Sequence, residues 1–242
     1  MSWRKIAGVF ISTATSHDEA ARAADVAVLP IGSFEQHGGH LPLATDTLIA
    51  SAIAERITTD YDLLLLPPIT IGASHEHADF KGTVSIRSVT LHAVVTDVAA
   101  SLGQACITKL VIVNGHGGNY VLSNVVQESN INERRMVLFP RSEDWTEARR
   151  AAALVTTNHE DMHGGEAETS ILLATAPEVV RPSYRDADVT ADDRRHLLTL
   201  GMGAYSPSGV IGRPSLATAE KGRLLLESLS TLFKDYLALL RS

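Results

Sequence analysis

The sequence predicts an α/β fold: a three-layer α/β/α sandwich around a mostly parallel central sheet. Two observations carry that expectation. Four short apolar runs rich in β-branched residues, at 26–31, 63–66, 110–113 and 136–139, are continuous rather than alternating, which marks strands covered on both faces. The stretches between them show helical spacing and are too long for hairpins, so successive strands run parallel with helices crossing over the sheet.

Taken in order, the first run ends at Ile31 and opens into a glycine-rich polar loop. Leu48, Ile49, Ala52, Ile53 and Ile57 then fall on one helical face. The second run is followed by Leu91, Val94, Val95, Val98 and Leu102, and the third by Val121, Leu122, Val125 and Val126, each again at helical spacing. The segment 141–150 mixes acids and bases around Trp145, and suits either a surface helix with one anchoring aromatic or a flap over a site. A helix begins after Gly165 with Ile171, Leu172 and Leu173. A polar, Gly/Pro-punctuated surface excursion spans 181–208, and a last helix starting near Thr218 carries Leu224, Leu225, Leu229, Leu232 and Leu237 for docking on the body. With no low-complexity linker and no internal repeat, residues 1–242 are expected to form a single domain.

The 21 Lys+Arg against 28 Asp+Glu give a net charge of −7, and no Lys/Arg-rich run interrupts the balance. Nucleic acid and anionic membrane are therefore not expected partners, since both recruit clustered cations. The single Cys106 cannot form an internal disulfide, no early basic stretch leads into a signal-like apolar run, and a reducing cytoplasm is the expected compartment. No apolar stretch approaches the roughly 20 residues a membrane span needs. Cys106 reads as a core residue of a helix-like segment. A nucleophilic-serine elbow and a dinucleotide loop are also excluded, because neither GxSxG nor GxGxxG after the first strand occurs. The ten histidines are the unusual count, and they cluster.

The first cluster, GSFEQHGGHLPLATD at 32–46, follows the strand ending at Ile31, where open α/β sheets hold their ligands. Glu35, His37 and Asp46 are a hard-to-borderline donor set suited to zinc, manganese or iron, although Asp46 could equally cap the next helix. The second, VNGHGGN at 113–119, places His116 among glycines that let backbone approach a metal or substrate; a plain glycine-rich turn is the alternative. The third, HGGEAETS at 163–170, runs into a helix. Glu166 and Glu168 suit the positive end of that helix, or Glu166 completes a metal site while His163 carries protons near neutral pH.

These motifs, PIGSFEQHGGHLP at 30–42 with Thr45 and Asp46, Gly72-Ala73-Ser74 with His77, NGHGGN at 114–119, and His163-Gly164-Gly165 with Glu168-Thr169-Ser170, resemble the creatininase family of metal-dependent amidohydrolases. The likeness runs from residue 28 to residue 212. It implies the same α/β/α fold, a hexameric assembly, and two divalent ions per subunit, zinc or manganese with iron possible. Carried over by motif, Glu35, Asp46 and His116 resemble the ligands of one ion, and His37 with a bridging Asp46 those of the second. Creatininase itself adds a glutamate two residues after the histidine matching His116, and here that position is Gly118. Glu166 is the candidate replacement. The pattern is closer to the formamide hydrolase and mycofactocin-peptidase branches than to creatininase.

The resemblance further implies His163 as the acid/base and Ser74 and His77 on the substrate side. Glu168 is expected to orient His163 or a metal ligand, or simply to stabilise the start of its helix, while Gly117, Gly118 and Trp145 are candidate substrate contacts and the backbone N–H groups of Gly117, Gly118 or Gly164 candidate oxyanion donors. His75 and Glu76 read as surface residues. The reaction implied is cleavage of a C–N bond in a small cyclic amide, formamide or short peptide by hydroxide that the ions make available at neutral pH. A lactone or ester hydrolase on the same site, and a metal-stabilised binding protein without catalysis, are the alternatives.

Overall fold

The computed structural model describes residues 5–6, 9–10 and 12–242. A two-residue hairpin, β1 (Lys5–Ile6) and β2 (Val9–Phe10), precedes α1 (Ser16–Arg22). The body then alternates: β3 (Val26–Ile31), α2 (Thr45–Tyr61), β4 (Leu64–Leu65), α3 (Ser88–Gln104), β5 (Lys109–Asn114), α4 (Val121–Ser129), β6 (Met136–Phe139) and α5 (Ser142–Ala151). After a long loop come α6 (Glu166–Thr175), the short α7 (Leu197–Leu200) and α8 (Ala219–Arg241). The expected alternation is therefore present, and the strand runs read from sequence coincide with β3 to β6, although β4 is shorter than the 63–66 run.

The four strands pair in parallel in the order β4-β3-β5-β6. Because side chains alternate across a strand, β3 sends Val26 and Val28 to one face and Ala27, Leu29 and Ile31 to the other. The first face, with Val111, Val113 and Phe139, packs on α2, α5, α6 and α8; the second, with Leu110 and Ile112, packs on α3 and α4. These are the three expected layers. Pro30 sits inside a central strand, where a missing N–H normally breaks pairing. In a parallel strand the N–H and C=O of one residue face the same neighbour, and the Pro30 carbonyl accepts from Ile69 N–H on the β4 side. Pairing with β4 stops at Leu65, just where Pro30 has no donor to offer, so the proline shortens the edge strand and leaves the β5 ladder intact.

From β3 the chain steps outward to β4 and then crosses back to β5 on the opposite side. The carboxyl ends of β3 and β5 thus flank the point where strand order reverses, which opens a crevice for a ligand. The 181–208 excursion is ordered as short helical turns, and its Val189 bridges Gly212 in the segment that follows. Cys106 departs from expectation: α3 ends at Gln104 and Cys106 turns out at φ +63°, so its thiol is exposed rather than in the core. Among the described residues, no helix is long and apolar enough to cross a membrane.

Candidate metal centre and active site

Three loops meet at the β3/β5 crevice. The loop after β3 brings Glu35 and His37, the first turn of α2 brings Asp46, the loop after β5 brings His116, and the segment entering α6 brings His163 and Glu168. The loop after β5 can lie against α2 because residue 115 is glycine: a Cβ there would collide with the Asp46 carbonyl. Asp46 lies within the first turn of α2 and Ala44 is the capping position, so its carboxylate is free for the site.

The polar atoms converge closely. Asp46 Oδ1 lies 2.9 Å from His37 Nε2, and Oδ2 lies 3.1 Å from His116 Nδ1 while accepting from Ser33 Oγ at 2.6 Å. His37 Nδ1 sits 3.1 Å from the Glu35 carbonyl, which accepts its proton and leaves Nε2 turned to Asp46. Glu35 is fully buried, and neither of its carboxylate oxygens accepts a hydrogen bond. Around it stand His116 Nε2 at 3.2 Å, His77 Nε2 at 3.3 Å and His163 Nδ1 at 3.7 Å. Three sets of ligand atoms, Glu35/Asp46/His116, His37/Asp46/Glu168 and Glu35/His37/His163, each lie within 4.8 Å of one another. Asp46 is common to the first two, the position a bridging carboxylate would take.

Electrostatics follow from packing carboxylates and imidazoles together out of water. Burial disfavours the His37 cation, yet the charge and hydrogen bond of Asp46 outweigh it and hold that imidazole up at about 9. His116 is likewise raised, with Glu35 and Asp46 overcoming burial. His163 is driven well down by burial and by the neighbouring His37 and His77 rings, which stack at 4.1 and 4.4 Å. Burial also lowers His77, to about 4. Glu168 is pushed up to about 7 by burial, with the Asp46 charge adding to it against the pull of His37.

Two expectations are corrected. Glu166 is outside the cluster. Its carboxylate accepts from Lys221 Nζ at 2.5 Å, Thr156 Oγ1 at 2.7 Å and the N–H groups of Val155 and Thr156, so its charge is already neutralised by protein groups. Glu168 comes to the cluster instead, 4.0 Å from His37 Nε2, so of its two expected partners it faces a candidate ligand and not His163, and it stands among the donors themselves. The group that does is the Gln36 carbonyl, which accepts from His163 Nε2 at 2.6 Å. Glu168 Oε2 takes the Gly164 N–H at 2.6 Å, and that donor is therefore not available to an oxyanion.

The remaining candidates divide. Gly117 and Trp145 line a cavity of about 250 Å³ that reaches Glu168, and Trp145 belongs to α5, which is a helix and not a flap. Ser74 is fully buried with an unpartnered hydroxyl. His77 packs on His163 within the cluster's wall, and Gln36 Nε2 lies 2.9 Å from its Nδ1. Glu76 was misread as a surface residue: Oε1 lies 3.6 Å from His116 Nε2, over Gly118. Nothing in the local sequence announces that approach. Also unforeseen is Asn119, whose side chain ties the loop after β5 to those after β4 and β3 by accepting from Ala73 N–H and donating to the Gly32 carbonyl.

The creatinine amidohydrolase family model matches residues 12–237. The chain belongs to the creatininase family. As a creatininase-family protein it is a metal-dependent amidohydrolase. It is 39% identical over 81% of its length to a mycofactocin precursor peptide peptidase of Mycobacterium ulcerans, 78% of which is covered. It is 26% identical to a creatinine amidohydrolase of Pseudomonas putida, covering 90% of this chain and 92% of that one. A crystal structure of creatinine amidohydrolase superposes with a TM-score of 0.80 at 25% identity, over 93% of this chain and 95% of that chain. Higher likeness to the peptidase agrees with the expectation drawn from NGHGGN and the 163–170 segment.

Proposed function

We propose that this creatininase-family chain hydrolyses the C–N bond of a small cyclic amide, formamide or short peptide at a binuclear divalent-metal centre. Glu35, Asp46 and His116 would hold one ion, and His37, Asp46 and Glu168 the other. The observation that carries the reading is Glu35: a carboxylate removed from water without one hydrogen-bond donor is costly unless a cation completes it, and imidazole nitrogens face the same point. The mixed nitrogen and oxygen donors suit zinc or manganese, and solved creatininases include manganese and zinc–zinc forms. Ions so held would polarise an amide carbonyl and make hydroxide available near neutral pH.

The chain's own groups supply the rest. Asp46 is pinned by Ser33 Oγ and His37 by the Glu35 carbonyl, so the donors are set before substrate arrives. His163 gives its Nε2 proton to the Gln36 carbonyl and keeps the Nδ1 lone pair toward the site. From there it can accept a proton and return it to the departing nitrogen, which cannot leave as an unprotonated anion. Gly117 and Trp145 line the cavity that reaches Glu168 and could seat a substrate there. Among amides, the likeness to the mycofactocin precursor peptide peptidase favours a short peptide.

The test is metal analysis of the purified protein together with a mass-spectrometric screen of cyclic amides, formamides and short peptides. Near two equivalents of zinc or manganese and metal-dependent amide turnover are expected. Protein that binds no divalent ion and cleaves no amide overturns the reading, and turnover confined to esters or lactones replaces it with the ester-hydrolase alternative.

A further inference from the structure

The turn from His116 to Gly118 separates two cavities. One contains Gly117 and Trp145; the other, about 370 Å³, lies on the Gly118 side and reaches Ala73, Glu76, Asp79, Tyr120 and Leu198. Glu76 stands at its inner end. Its side chain is 14% exposed, 3.6 Å from His116 Nε2, and takes no hydrogen bond from another of the described residues. Residue 118 is glycine where this carboxylate needs room, because a Cβ there would collide with Glu76 Oε1. Asp79 adds a second carboxylate, and among the described residues no Lys or Arg lines the cavity. At the mouth, Tyr120, Leu198 and Leu200 expose large apolar surfaces, 60%, 78% and 54% accessible. A cavity whose Glu76 wall lies beside His116, that is acidic inside and apolar at its rim, matches one half of a cleaved amide better than the other.

We propose that this cavity binds the amine half of the substrate, with Glu76 and Asp79 as specificity residues for an amide whose departing side is apolar and carries or becomes an ammonium. The inference rests on the hydrolase reading above and names its substrate class. In the balanced reaction, water oxygen bonds to the carbonyl carbon, the C–N bond breaks, and both water protons end on the products, giving RCOO⁻ and R′NH₃⁺. An ammonium released beside two carboxylates is held by them.

The test is calorimetric titration of the full chain, metal-loaded and metal-free, with three probes of one shape: 2-phenylethylamine, 2-phenylethanol and 3-phenylpropanoate. The amine is expected to bind about 10-fold or more tightly than the alcohol, and the carboxylate more weakly than either. Glu76→Gln and Asp79→Asn should each erase most of that preference. Asp79 is exposed and belongs to none of the candidate donor sets, so its variant separates charge recognition from damage to the centre. No preference for the amine, or a preference that both variants leave intact, overturns the proposal. Amine binding that appears only with metal and survives Asp79→Asn also overturns it, as simple coordination. Failure of the hydrolase reading shows separately, as absence of amide turnover in the wild-type chain whatever the probes do.

Discussion

Two buried carboxylate clusters lie a few residues apart in this protein and have opposite characters. Around Glu166 and Asp161, every charge has a fixed partner. Glu166 meets Lys221 and three donors from Val155 and Thr156; Asp161 meets Arg149 at 2.8 Å and takes the first N–H groups of α6. Among the described residues, the only cationic groups around Glu35, Asp46 and Glu168 are imidazoles, and neither Glu35 oxygen accepts a hydrogen bond. The difference teaches what distinguishes an architectural ion network from a site built for an exchangeable cation: the former is satisfied by the chain alone, and the latter is not.

The comparison can be broken most strongly at Asp46. Asp46→Asn should abolish stoichiometric metal binding and reduce amide turnover by roughly 10³-fold or more, since it removes the carboxylate common to two donor sets, while a metal-dependent general-acid–base step alone is worth about 10²–10⁴. Metal analysis beside kinetics reads it, and full activity with bound metal would refute the assignment. Next in size, Glu166→Gln should cost about 2–3 kcal/mol in denaturant unfolding, below the usual range for a broken buried pair because Lys221 is partly solvated, with metal content unchanged. Glu168→Gln should do the reverse, losing one ion with little loss of fold stability.

A sharper contrast comes from Glu35→Gln in chelator. The variant lacks a metal ligand, so the rise in Tm between chelator and metal-loaded buffer expected of the wild type should be largely lost. Acid titration gives a further separation. Burial raises the Glu166 carboxyl, but Lys221 and Thr156 outweigh it and hold it below its ordinary value of 4.5. Its stabilisation is therefore present above the ordinary carboxylate range and lost as pH falls through the depressed value. The wild type should lose its advantage over Glu166→Gln below about pH 4.5, and a pH-independent gap in Tm would contradict the pairing. Smallest of all, Arg241→Ala, which removes an exposed pair between the end of α8 and Asp25, should cost under about 1 kcal/mol.

Much of this was legible from residues. Continuous apolar runs marked β3, β5 and β6, because strands with helices on both faces cannot carry a polar side. Three histidine-bearing loops marked the site, because chemistry in such sheets collects where strands end. The reading failed over α6. Glu166 and Glu168 stand two positions apart, about 200° around the helix, so they point to opposite sides and only one can reach the crevice. Both fit the motif and the helix dipole equally well, and the choice depends on how α6 is rotated against α8 and where Lys221 falls.

The sequence by itself determined the layered fold, the crevice between β3 and β5, and the identity of Glu35, His37, Asp46, His116 and His163 as a converging set. These depend on local pattern, on strand ends and on contiguous motifs. Only the tertiary structure decided that Glu168 and not Glu166 faces the set, that the Gln36 carbonyl orients His163, and that Glu76 occupies the space left by Gly118. Each of those is a contact whose partners or orientation no spacing along the chain encodes, set by the direction in which packed elements turn their side chains.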